Sequence, residues 1–194
     1  MIQIRILFVL LLMFLINPLL KAEDIFELQI EGASIGSSLY DHFDQKIIDG
    51  FKKHEYGNNK KFYKLEVLNW NIKKNKKYDT VGFYLITNDK NLKIHGLSGN
   101  IFFQNVNKCK KKMVEISNDI SSLLNISFND SSFKPTFDKN TYVHQMQTNF
   151  SKGGTIAISC YDWSKKIENE YNWADNLGVE VYSSDLATFI GSNS

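Results

Sequence analysis

A hairpin whose alternation changes parity limits the folds open to this chain. In the segment TVGFYLITNDKNLKIHGLSGNIFF, Thr80 to Phe103, Val81, Phe83 and Leu85 take odd positions between residues of the other face. Thr87-Asn88-Asp89-Lys90-Asn91 is turn chemistry, after which Leu92 and Ile94 fall on even positions. From Leu97 onward the apolar residues are odd again, at Leu97, Ile101 and Phe103. Side chains of a strand alternate strictly between its faces, so one extra residue must be absorbed near His95-Gly96. That is what a β-bulge does. Upstream, Tyr63, Leu65 and Val67 alternate with Lys64 and Glu66. The short connections predict a meander of three antiparallel strands with one wet face.

Two helical patterns flank the meander. Ile35, Leu39, Phe43 and Ile47 step by four behind Ser34, predicting a helix from Ser34 to Phe51 after a strand from Phe26 to Ile30. Cys109, Met113, Ile116, Ile120, Leu123 and Leu124 predict a second helix over 107–125, with Lys108, Lys110, Lys111 and Lys112 solvated. A polar connector containing Pro135 leads to a hairpin, Tyr142 to Phe150 and Thr155 to Trp163, turning at Ser151-Lys152-Gly153-Gly154. Val179 to Tyr182 reads as a last strand before a short helix capped by Ser184. The expected fold is α+β: one largely antiparallel sheet with two main helices packed on one face.

Residues 1–22 read as a signal peptide. Arg5 precedes the apolar run Ile6 to Ile16, Asn17-Pro18 breaks it, and Ala22 stands before Glu23. Residues 23–194 then form a single exported domain, periplasmic if the cell is Gram-negative. Loss of Arg5 and Lys21 removes both excess charges of the +2 chain, so no basic balance argues for nucleic acid. An even pair of cysteines in an exported chain predicts a disulfide, and Cys109 and Cys160 both fall on apolar faces.

IEGASIGSSLYDHF, followed by KFY, YDTVGFYLITNDKNLKIHGLSGNIFF and NKCKKK, resembles a set of small exported proteins from small-genome marine bacteria. The likeness runs from about Phe26 to Met113. It implies export and a single domain, and brings no activity, ligand or catalytic residue. Those proteins tend to carry Asp where this chain has Ser37, a change that bears on the helix dipole rather than on chemistry.

No catalytic motif is complete. Gly32-Ala-Ser34-Ile-Gly36 has the spacing of a nucleophile elbow, but only His144 lies late in the chain and no strand–helix alternation surrounds the serine. The same stretch lacks the Lys-Ser/Thr of a phosphate loop. The four histidines show no metal-ligand spacing, so neither a metal nor a cofactor is implied. Lysine pairs such as Lys60-Lys61, in a chain whose only arginine is Arg5, read as solvated faces.

Two function classes follow. The first is a non-enzymatic envelope protein of binding or assembly type, its partner an envelope protein or a glycan. Its candidate binding surface is Tyr84, Phe102 and His95: Tyr84 and Phe102 lie on the parity opposite the core, and His95 sits at the bulge. The second is a small exported hydrolase, for which Asp162-Trp163 and Trp173-Ala174-Asp175 bring aromatics and carboxylates together as a sugar site would.

Overall fold

In the computed structural model, residues 25–55, 60–68 and 77–193 are described. The expected signal peptide and the lysine pair Lys73-Lys74 lie outside them.

The meander forms as the alternation requires. Strands β3 (Lys52–Glu55), β4 (Phe62–Leu68), β5 (Thr80–Ile86) and β6 (Ile94–Phe102) are consecutive and antiparallel. The bulge is where the parity change puts it. Leu85 pairs with Ile94 and Tyr84 with Gly96, leaving His95 as the extra residue. β7 (Asn129–Asp130), β8 (Tyr142–Asn149), β9 (Thr155–Asp162) and β10 (Asn176–Tyr182) complete an eight-stranded sheet in the order β3-β4-β5-β6-β10-β9-β8-β7. β10 joins the meander to the hairpin, so both halves share one core.

On one face Leu65, Phe83, Leu97, Val181 and Ile156 form a row across five adjacent strands. All five are buried. Above the β8-β9-β10 half lies α2 (Val106–Leu124). The Asn105 side chain accepts from the amides of Asn107 and Lys108 at its start, and left-handed Asn125 ends it. Cys109 of α2 is bonded to Cys160 of β9, with Cα atoms 5.9 Å apart. Cys109, Met113 and Leu124 are buried as expected, but Leu123 is 74% exposed and belongs to the outer face.

The long first helix does not form. Ile25–Glu27 is a 3-10 turn, and β1 (Gln29–Ile30) pairs with β2 (Ala33–Ser34) across Glu31-Gly32. Both turn residues have positive φ, as a two-residue hairpin loop demands. Ser34 therefore sits in a strand and caps nothing. Ser38 caps a 3-10 turn, Leu39–Asp41, in a capping box with Asp41. α1 is only Gln45–Ile48. The cause is tertiary: the amide of Gly36 donates to Ile94, that of Ile94 to Ser37, and that of Leu39 to Leu92. Backbone bonded to β6 cannot also close helical turns. Ile35, Leu39 and Phe43 are buried nonetheless, whereas Ile47 is exposed and Ile48 takes its place.

Two further helices follow the hairpin. α3 (Lys165–Tyr171) starts where the Ser164 hydroxyl accepts from the amide of Ile167. α4 (Ser184–Asn193) begins one residue after Ser183, whose hydroxyl accepts from Leu186. α4 lies on the sheet face opposite α2. Its Leu186 and Phe189 form a small second core with Phe62 and Tyr84. Gly96 permits this docking, because a Cβ there would stand 2.5 Å from Leu186 Cδ2. Among the described residues no helix is long and apolar enough to cross a membrane.

Candidate functional site

The face that α4 only partly covers is polar across its middle. Its register rows place Glu66, Gly82, Ser98 and Glu180 side by side on β4, β5, β6 and β10. Lys64 lies across Gly82, where a Cβ would collide with its Cε at 2.1 Å. The ammonium stands 3.7 Å from Glu66 Oε1, and His54 Nε2 is 3.4 Å from Glu66 Oε2. From Glu66 a ladder of side chains crosses the sheet. Thr80 Oγ1 donates to Glu66 at 3.3 Å, Asn100 Nδ2 to Thr80 at 2.9 Å and Asn176 Nδ2 to Asn100 at 3.5 Å. Trp163 Nε1 closes it by donating to Asn176 Oδ1 at 3.2 Å.

Glu180 is the electrostatic centre of this face. Burial pushes its carboxyl above the ordinary glutamate range, against the pull of Lys64 and of hydrogen bonds from Tyr182 and Tyr161. Beside it the Ser98 hydroxyl is fully buried and without a hydrogen-bond partner among the described residues. This centre is closed by its own side chains. Its side chains form a network of ion pairs and hydrogen bonds across four strands.

The same face opens at the end remote from α4, where an aromatic group stands. Tyr161 and Trp163 stack with centroids 5.1 Å apart and planes 13° apart. Trp173 meets Trp163 edge-on at 4.7 Å, and Tyr171 lies 5.4 Å from Trp173. Trp173 is 45% exposed and Tyr171 53%. The connection from α3 to β10, with Asn172 left-handed, carries Trp173 back over the sheet. Asp175 fixes the strand end by accepting from the Trp163 amide at 2.9 Å. Its carboxyl is raised, first by burial and then by Asp162 and Glu168.

The sequence-predicted surface is divided by this arrangement. Tyr84 is 2% exposed, not a surface residue: Tyr182 meets it edge-on at 5.4 Å and α4 packs beside it. His95 is half-buried at the same end, 5.6 Å from Phe62, its imidazole lowered by burial and then by Lys93. Phe102 stands apart at the other end of β6, 49% exposed. There it borders Asn176, which pairs with Tyr161. So only Phe102 joins the aromatic end. The pairing of Trp163 with Trp173 and Asp175, legible in the sequence as a juxtaposition, is realised in space. Glu180 was missed, although its off-parity position between Val179 and Val181 marked it as facing away from the main core.

No family model, no curated protein sequence and no solved structure matches this chain.

Proposed function

We propose that this is an exported binding protein of the cell envelope, without catalysis, that holds a glycan against the aromatic end of its sheet. One observation carries the reading: Trp173 and Tyr171 stand exposed around the stacked Tyr161–Trp163 pair, beside the amides of Asn100 and Asn176. A pyranose ring has an apolar C–H face and a rim of hydroxyls. The electron-rich face of an aromatic ring suits the first, and side-chain amides, which both donate and accept, suit the second. Stacked rings on a rigid sheet lose little freedom on binding. Export is supported by the signal-like N-terminus and the Cys109–Cys160 bond.

A second reading has its own observation. The carboxyl of Asp175 is raised by burial and by its neighbour Asp162, and two adjacent acids are what glycoside hydrolysis uses. Co-sedimentation with purified peptidoglycan, followed by chromatography of the supernatant for released sugars, separates the two. Retention without release is the expected result. Released fragments would establish the hydrolase, and neither retention nor release would overturn both readings.

A further inference from the structure

The sheet is wider than the helix that covers its main face. α2 packs on β8, β9 and β10, leaving the β3-β4-β5 half to the N-terminal segment. With the long helix replaced by two short turns, that segment roofs the sheet incompletely. A cleft of about 380 Å³ remains between α1 and the strands. Its floor is apolar, with Ile48, Phe51, Leu65 and Leu92, and its walls are the rings of Tyr40 and Tyr63. The volume is at the small end of the range for ligand sites.

The rim carries one cation and one anion, Lys53 and Asp49. Lys53 Nζ lies 4.7 Å from the centroid of the Tyr63 ring, a cation–π contact that holds the ammonium at the cleft. The only carboxylate paired with Lys53 among the described residues is Glu55, at 3.5 Å, and Glu55 is held more closely by Lys60, at 2.7 Å. Lys53 therefore keeps donors for an incoming carboxylate. On the other side Tyr40 Oη donates to Gln45 Oε1 at 2.7 Å and Gln45 Nε2 to Asp49 Oδ1 at 2.6 Å. This relay fixes Asp49 at the rim, and a carboxylate with one donor has room for more. The cleft is also pre-formed. Leu92, at φ 46, is held left-handed by bonds from its amide to Asp89 and from the Leu39 amide to its carbonyl.

We propose that this cleft binds an apolar α-amino acid, its side chain between Tyr40 and Tyr63, its carboxylate on Lys53 and its ammonium on Asp49. The reading is independent of the glycan surface, which lies on the opposite sheet face. A ligand with only one of the two charges would leave one rim group unanswered.

The test uses the exported protein and three probes: L-phenylalanine, 3-phenylpropionate and 2-phenylethylamine. Titration followed by NMR should show saturable binding of phenylalanine at millimolar concentration, with the Tyr40 and Tyr63 ring resonances shifting. Phenylalanine should bind roughly ten-fold tighter than either analogue, a difference of about 1.4 kcal/mol. Lys53→Met should bring phenylalanine down to the affinity of phenylethylamine, and Asp49→Asn to that of phenylpropionate. No saturable binding, an analogue as tight as phenylalanine, or shifts confined to other residues would overturn the proposal. The analogue series needs only the unaltered protein, so it decides the matter even where a variant fails to fold.

Discussion

Two residues of the polar face make separate predictions. The Ser98 hydroxyl is buried without a partner among the described residues, which costs on the order of 1–3 kcal/mol relative to a satisfied group. Ser98→Ala should therefore leave stability unchanged or raise it in urea unfolding, where most buried substitutions lower it. A loss above about 1 kcal/mol would mean that the hydroxyl has a partner. Glu180 predicts a pH dependence. Its folded-state pKa lies above the ordinary 4.5, so the folded chain binds the proton more tightly than the unfolded one. Its contribution is favourable below about pH 4.5 and is lost as pH rises through the folded value. Glu180→Gln keeps an acceptor for Tyr161 and Tyr182 and removes the charge. The variant should lose that decline when unfolding free energy is measured across pH 4 to 8. An unchanged slope would show that Glu180 titrates normally.

At the scale of elements, the corrected N-terminal segment and the disulfide can each be tested. Ser38, not Ser34, carries a cap, and its hydroxyl also donates to the Asn91 carbonyl at 2.6 Å. Ser38→Ala should cost about 1 kcal/mol or more, and Ser34→Ala less; the reverse order in urea midpoints would restore the long helix. The Cys109–Cys160 bond closes a loop of 51 residues. In the chain-entropy treatment it is worth about 4 kcal/mol. Replacing both cysteines with serine should lower the unfolding free energy by that order, and a change under about 1 kcal/mol would show that the bond adds little to the packing of α2. Elements legible in the sequence were those whose signal is local. The β5–β6 hairpin announced its bulge through parity, and α2 announced itself through a sustained three-four step. The segment from Ile35 to Ile47 had an equally regular step and misled, because hydrogen bonds to Leu92 and Ile94 took the backbone of its first turn. α3 had no such signal, since Ile167 is its one buried residue.

For the whole molecule, the α+β class and the antiparallel sheet were legible, but the strand order was not. β10 enters between β6 and β9, a pairing across long separations that no periodicity encodes. The polar face and its aromatic end depend on that insertion. It sets Glu180 beside Ser98, and it brings Asn176 between Phe102 and Tyr161. Nor could the pattern of Leu186, Phe189 and Ile190 say which face the last helix covers. That choice buried Tyr84 and left Phe102 exposed. The candidate site was therefore visible as residue types, Trp163, Trp173 and Asp175, and invisible as a surface.

If this surface binds glycans through its exposed rings, Trp173 is the ring whose loss tests it with least damage, being 45% exposed and off the sheet itself. The deciding measurement is calorimetric titration of the unaltered protein and of Trp173→Ala with soluble N-acetylglucosamine oligosaccharides, folding being checked by circular dichroism. Saturable binding by the unaltered protein, weakened ten-fold or more in the variant, a loss of at least about 1.4 kcal/mol, is the predicted result. Binding undiminished by the substitution, or no binding by the unaltered protein, would show that this surface is not a glycan site.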